Sequence, residues 1–367
     1  SKFLEKIVHL NFDLPEVGQN QLVSEFKKCL REELKSREIP EEVVNEIKSS
    51  KRLSTVIDRY AMDFIGTLRN VKRVVPSLVF YLEHYVHQTS SPSDANNGDE
   101  VPLSLEVNPG DLLALELLRI FDSEVYNQLP SYRSILTNQD MKPSTSSQIK
   151  ENVLQGLLQP VDRKETDAPR KWDPSRGQDR AKDILTFLFP HLREGTDFFS
   201  GAENYQSQRR VLHPEIFDRY FQRRIPTDAL LKGQVQTLLD DMQKESKFGE
   251  SFLELVEQSG LRSVISALKS RSDDLNRDQV QCLLTTLFNE GDEFADCSSP
   301  HSFERADSEI AVDLVQVLLY QSCVSSQKER GEVLLEALRS TTGLYLPARA
   351  IQNAISENRN RILQNRP

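Results

Sequence analysis

Apolar side chains recur at helical spacing along most of the chain. Leu22, Phe26, Cys29 and Leu30 follow one another at intervals that place them on one face of a helix. Between residues 228 and 362 the same spacing predicts seven further helices, at 228–243, 249–258, 261–271, 277–290, 306–321, 328–340 and 347–362. No repeat of fixed period relates these helices, so we expect an irregular helical array rather than a named solenoid.

One segment near the start has the alternation of a strand. In KIVHLNFDLP, Ile7, Leu10 and Phe12 are apolar, His9 and Asn11 are polar, and Pro15 closes the run. The pattern therefore predicts a mainly α fold with a short β segment at its N-terminus.

The segment LRNVKRVVPSLVFYLEHYVH, residues 68–87, combines a basic start with a long apolar helix. On a helix Arg69, Lys72 and Arg73 share one face, and the opposite face carries Val71, Val74, Val75 and Leu78. Cations at a helix N-terminus oppose the helix dipole at a cost of about 0.3–1 kcal/mol each. This placement favours an anionic partner, although a solvated basic face paired with carboxylates elsewhere is the open alternative.

A second basic cluster lies in YQSQRRVLHPEIFDRYFQRR, residues 205–224. Its arginines are Arg209, Arg210, Arg219, Arg223 and Arg224. Arginines interleaved with aromatic rings suit a nucleic-acid backbone and its bases. However, Phe217, Tyr220 and Phe221 have the spacing of a buried helical stripe. The competing interpretation is therefore a salt-bridge surface between domains, and another ligand is a third alternative.

Charge and cysteine usage narrow the function classes. The net charge of −10 disfavours nucleic acid and anionic membranes as bulk partners. The four cysteines are far apart and form no CxxC pair, which argues for a reducing cytoplasm and against a metal site. No apolar run reaches the length of a membrane span.

The sequence contains no recognisable catalytic motif. GxxxxGK[ST], GxGxxG, HExxH and GxSxG are all absent. We therefore expect no catalytic residue in this chain.

Four segments in order resemble the KAP family of P-loop NTPases. FLEKIVHLNFDLP is similar to the last strand of the family's nucleotide-binding core, and GTLRNVKRVV stands where the helical lid has a TPRDVKR-like motif. VNPGDLLALELLRIFDSEVY is similar to VNFVDLLALEALRVFEPEVY, and RRVLHPEIFDRYFQRRIP to RxxSPEYFDRYF. In the lid motif Leu68 replaces the usual proline and Asn70 the usual aspartate.

The resemblance implies an ATPase fold related to AAA+ and STAND proteins. The KAP family is found widely in bacteria, often in phage defence or membrane-linked signalling, so the resemblance also implies a bacterial defence role. It implies that Arg69 is the lid's sensor of the γ-phosphate, with Lys72 and Arg73 at the later basic positions. The Walker A loop and the groups that hold ATP and Mg would then lie upstream, so this chain is expected to be the C-terminal part of a longer NTPase. Its first partner would be that missing core.

The predicted order of domains follows from these assignments. Residues 1–15 are the last core strand, 16–88 the helical lid, 89–100 a linker, 101–226 a helical middle domain and 227–367 the C-terminal array. The predicted function is to couple the nucleotide state of a KAP-type ATPase to a partner or neighbouring subunit. A stand-alone helical protein-binding scaffold and, less favoured, a nucleic-acid binder using residues 205–224 are the alternatives.

Overall fold

The structure is a computed structural model, and every regular element in its described residues is helical. It describes residues 17–89, 103–137, 146–158, 174–193, 204–242, 245–295, 307–320 and 326–364. The predicted mainly α class is therefore confirmed. The predicted strand at residues 6–15 lies outside the described part of the chain.

Contacts divide the chain into two compact units, each gathered from separate stretches of sequence. Unit 1 takes its described residues from Ser1–His84, Pro109–Tyr132 and Ser146–Thr196. Unit 2 takes its own from Tyr85–Asn108, Arg133–Thr145 and Asp197–Pro367. The domain order expected from the sequence stays a prediction.

Unit 1 is built from amphipathic helices around a buried one. Its helices are α1 (Gln19–Ser36), α2 (Glu41–Ser49), α3 (Lys51–Thr55), α4 (Met62–Phe64), the first part of α5 (Leu68–Thr89), α6 (Pro109–Phe121), α7 (Ser123–Gln128), α9 (Ser146–Leu158) and α10 (Pro174–Leu188). In α1 the apolar stripe is buried as predicted, with Phe26 fully inaccessible to solvent. A burial stripe of this kind supplies most of the stability of a surface helix.

A π-helical turn, Val56–Ala61, interrupts the helical segment from Lys51 to Phe64. It joins α3 to α4, and Val56, Ile57 and Ala61 are buried. The wider turn was not predictable from hydrophobic spacing, because π-helical turns keep the same apolar residues and differ only in their hydrogen bonding.

Helix α6 is surrounded by protein over its first ten residues, Pro109 to Leu118. Gly110 allows this, since a Cβ there would lie 2.8 Å from the backbone of Arg52 and Leu53 in α3. The carboxylate of Asp111 is fully buried and pairs with Arg52, whose other end donates to the Phe187 carbonyl at 2.8 Å. A close backbone approach and an internal ion pair therefore fix α6 against α3 and α10.

Unit 2 contains the helical array that the sequence predicts. Its helices are α8 (Arg133–Leu136), α11 (Asn204–Ser207), α12 (Pro214–Gln222), α13 (Lys232–Asp241), α14 (Glu245–Ser259), α15 (Leu261–Ser270), α16 (Arg277–Ala295), α17 (Asp307–Leu319), α18 (Gln327–Ser340) and α19 (Tyr345–Gln364). Each of the seven predicted helices has a counterpart, and the largest boundary differences are four to five residues, at the starts of α13 and α14 and the end of α16. Phe248, Phe252 and Phe288 lie in one continuous apolar core with the aliphatic residues of these helices.

The connection from α18 to α19 packs tightly on α16. A Cβ at Gly343 would lie 1.9 Å from the Phe288 carbonyl oxygen, so only glycine fits there. Asp292 of α16 accepts hydrogen bonds from the backbone N–H groups of Leu344 and Tyr345, the latter at 2.7 Å. Asp292 thus caps the start of α19 from a neighbouring helix.

Candidate functional site

The first candidate is the basic turn, which we define as Arg69, Lys72 and Arg73 at the start of α5. All three side chains are exposed, while Val71 and Val74 beside them are fully buried. The division of the helix into a basic and an apolar face is therefore confirmed. Among the residues that the structure describes, none forms an ion pair with these three cations.

Local sequence fixes the backbone of the basic turn. The hydroxyl of Thr67 accepts a hydrogen bond from the Asn70 N–H at 3.3 Å, and its carbonyl accepts from the N–H groups of Asn70 and Val71. A threonine at this position is a favoured helix N-cap. One helical turn further on, Pro76 has no N–H to donate to the Lys72 carbonyl. The turn is thus held at its start, and Pro76 removes one hydrogen bond of the regular helix just after it.

A polar network behind the basic turn joins α5 to α6. Glu116, almost fully buried, accepts a hydrogen bond from the Ser77 hydroxyl at 3.0 Å, and its two oxygens share the Arg119 Nε–H, each at 3.0 Å from the Nε. Arg119 also donates to the Ser77 hydroxyl at 2.9 Å. The hydrogen bond to Glu116 raises the pKa of Arg119. Because each of the three groups has its partners in place, α5 is anchored and the exposed cations are presented from a rigid helix.

The second candidate, the arginine cluster of residues 205–224, lies largely inside unit 2. Arg209 and Arg219 are 5% and 3% exposed and both reach the carboxylate of Glu106, which is fully buried. The distances from the Glu106 Oε2 are 2.7 Å to the Arg219 Nη1 and 3.2 Å to the Arg209 Nε. The Glu106 Oε1 accepts a hydrogen bond from the backbone N–H of Lys232 at 2.6 Å. These contacts are internal ion pairs of the fold.

Backbone contacts hold Arg209 in an unusual conformation. Its φ of 51° lies in the left-handed region, which costs a non-glycine residue about 1–2 kcal/mol. The Tyr220 hydroxyl donates to the Arg209 carbonyl at 2.6 Å, and the Asn108 N–H reaches the same carbonyl at 3.1 Å. Both contacts offset the strain and orient the guanidinium towards Glu106.

The remaining arginines of the cluster differ in their exposure. Arg210 is buried, with its guanidinium 5.3 Å from the centre of the Tyr205 ring. Arg223 is half-buried at the left-handed end of α12, and burial lowers its pKa. Arg224 is exposed. Because a phosphate cannot reach a buried guanidinium without unfolding the segment, the burial of Arg209, Arg210 and Arg219 favours ion pairing over nucleic-acid contact. The ion pairs of Arg209 and Arg219 with Glu106 lie within unit 2 and not between domains as the sequence suggested.

Sequence reasoning missed the acids at the centre of these networks. Glu106 and Asp111 are fully buried, and Glu116 nearly so, in a stretch that pattern analysis treats as an apolar helix and its approach. The three carboxylates inside an otherwise apolar run were a usable signal. An ionised group is buried only with a partner, so they indicated internal ion pairs with basic residues elsewhere in the chain. His213 was missed as well. Burial, followed by the nearby charges of Arg209 and Arg219, lowers its pKa to about 4.

The described residues lack two further features. They hold no group of three or more His, Cys, Asp or Glu side chains placed to bind a metal ion. They also include no helix with the length and hydropathy needed to cross a bilayer.

Comparison with known proteins identifies one segment. Residues 1–84 match the profile of the KAP family P-loop domain, a range that contains the basic turn. Searches for similar curated proteins and for similar solved structures returned no match. The matched range includes the lid-like motif GTLRNVKRVV, so residues 1–84 of this chain are similar to the KAP family P-loop domain.

Proposed function

We propose that this chain supplies the helical lid and the adjoining interaction region of a KAP-type ATPase, with Arg69 as the residue that senses the γ-phosphate. The observation that carries the proposal is the basic turn itself. Three exposed cations, with no ion-pair partner among the described residues, start a rigidly anchored helix inside the segment that matches the P-loop domain. Such an arrangement stabilises an anion, and the anion of a P-loop enzyme is a nucleotide phosphate.

In this proposal ATP and Mg bind to a nucleotide-binding core that carries the GxxxxGK[ST] loop, and the core is the first partner of the lid. Arg69 approaches the γ-phosphate, while Lys72 and Arg73 add positive charge on the same face. Loss of the γ-phosphate removes the contact, and the helical units pass that change to a partner or a neighbouring subunit. The cytoplasmic location and the bacterial phage-defence role are parts of the proposal that rest on cysteine usage and on family resemblance.

The test uses the protein in which this chain is joined to such a core. Arg69→Ala should lower the rate of ATP hydrolysis by about 10³-fold or more, as loss of a γ-phosphate-contacting arginine does in other P-loop enzymes. Binding of ATP should weaken far less, because the core provides most of the phosphate contacts. Arg59→Ala is the matched control, since Arg59 is an exposed arginine of the same unit that lies outside the basic turn. Equal hydrolysis by the Arg69 and Arg59 variants would refute the sensor role.

A further inference from the structure

Unit 2 contains a large groove that the proposed ATPase function does not use. It has a volume of about 840 Å³ and lies between helices α14, α16 and α18. Gly249 and Glu250 line it from α14, Thr285 and Thr286 from α16, and Glu336 from α18. We propose that this groove binds a short, extended, basic peptide segment of a partner protein.

The charges of the groove select a cationic occupant. Among the described residues that line it, Glu250, Glu290 and Glu336 come from three different helices, and Arg339 is the one cation. Glu250 and Glu336 are exposed, and neither forms an ion pair with another residue in the described ranges. Unneutralised carboxylates on two different helices of the groove lower the energy of lysine or arginine side chains placed near them.

The composition of the walls selects an extended chain over an amphipathic helix. Leu253 is the one large aliphatic side chain among the described residues that line the groove, whereas a helix-binding groove needs a continuous apolar floor. The middle of the lining instead presents hydroxyl and amide groups, from Gln281, Thr285, Thr286 and Asn289. Such groups hydrogen-bond to the exposed backbone of an extended peptide.

The dimensions agree with a segment of a few residues. The lining of α16 runs from Gln281 to Glu290, which at about 1.5 Å per residue is a length of about 13 Å. About four residues of extended chain, at about 3.3 Å each, span that distance. The volume is also within the range of pockets that enclose a compact organic ligand and is far larger than a single ion needs.

A larger side chain at Gly249 should block the groove. A Cβ at Gly249 would meet no atom within 4 Å, so a larger side chain there enters the groove without disturbing the core. Gly331 on α18 has the same open surroundings and does not line the groove. Gly249→Leu and Gly331→Leu are therefore a matched pair, since both replace a helical glycine with a better helix former.

The test measures binding of a fluorescein-labelled pentapeptide of alternating lysine and alanine by fluorescence anisotropy. The wild-type chain should bind this peptide, and a peptide with glutamate in place of lysine should not bind. Gly249→Leu should raise the dissociation constant at least about tenfold, while Gly331→Leu leaves it unchanged. Circular dichroism and the thermal midpoint check that both variants are folded.

A second pair of variants keeps the proposal testable if Gly249→Leu fails to fold. The double variant Glu250→Gln and Glu336→Gln should raise the dissociation constant by about threefold to tenfold, because it removes two solvent-exposed attractions. Glu309→Gln, an exposed charge on α17, should have no effect. The proposal is overturned if the wild type does not bind the basic peptide, if it binds the acidic one equally well, or if neither groove variant weakens binding more than its control.

Discussion

Replacing Glu106 with glutamine should strongly destabilise unit 2. The change keeps the shape of the side chain but removes the charge that faces both Arg209 and Arg219, at 3.2 and 2.7 Å. All three side chains are at least 94% buried, and water cannot replace the lost partner. Breaking a buried pair by removing one member costs about 3–5 kcal/mol, and here one carboxylate serves two guanidinium groups.

The assay is urea unfolding followed by circular dichroism at 222 nm, with the thermal midpoint as a second measure. A loss of about 3–5 kcal/mol corresponds to a fall of roughly 6–20 °C in the midpoint for a folding unit of this size. Glu257→Gln, at an exposed position of α14, is the control and should change the free energy of unfolding by less than about 0.5 kcal/mol. If Glu106→Gln costs less than about 1 kcal/mol, the interpretation of residues 205–224 as an internal ion-pair cluster is wrong.

Three further predictions test other parts of the fold. His213 stays neutral in the folded state down to pH about 4, whereas a histidine of the unfolded chain is protonated below about 6.5. The free energy of unfolding should therefore fall by about 3 kcal/mol as the pH is lowered from 6.5 to 4. His213→Gln should remove this pH-dependent loss, which urea unfolding at several pH values measures. Gly110→Ala should cost about 1–3 kcal/mol in urea unfolding because its Cβ would overlap the backbone of α3, whereas Gly66→Ala, with open space around it, should not. Asp292→Ala should cost about 0.5–2 kcal/mol of stability, read from the thermal midpoint, because it leaves the first N–H groups of α19 without their acceptor.

Each of these predictions has a result that would contradict it. Wild type and His213→Gln with the same pH dependence would show that His213 is not buried as a neutral group. Equal stabilities for the Gly110 and Gly66 variants would mean that α3 and α6 do not approach closely. An unchanged midpoint for Asp292→Ala would remove the capping role.

The sequence was sufficient to predict the helices that depend only on the spacing of apolar residues within one segment. Helices α15 to α19 follow from apolar spacing, because each buries one stripe against its neighbours. The two faces of α5 could be assigned for the same reason, and burial of Val71 and exposure of Arg69 agree with that assignment. The profile match at residues 1–84 agrees with the resemblance of the first two motifs.

The contacts that sequence reasoning missed join residues far apart in the chain. Glu106 and Arg219 are separated by 113 positions, and no local pattern shows that their charges meet. The arginines of residues 205–224 were expected on the surface because arginine is usually exposed. Arg209 and Arg219 are buried because Glu106, far away in the sequence, neutralises their charge. The groove between α14 and α16 was also out of reach, since it arises from how helices are spaced and not from any one of them.

The central claim is that the basic turn contacts the γ-phosphate of a bound nucleotide. Hydrogen–deuterium exchange of the amides of residues 69–73 tests it most directly, in the protein that joins this chain to its nucleotide-binding core, with ATPγS, with ADP and without nucleotide. We expect slower exchange with ATPγS than with ADP, and loss of that difference in Arg69→Ala but not in Arg59→Ala. The same exchange in all three states, with binding of both nucleotides verified, would contradict it.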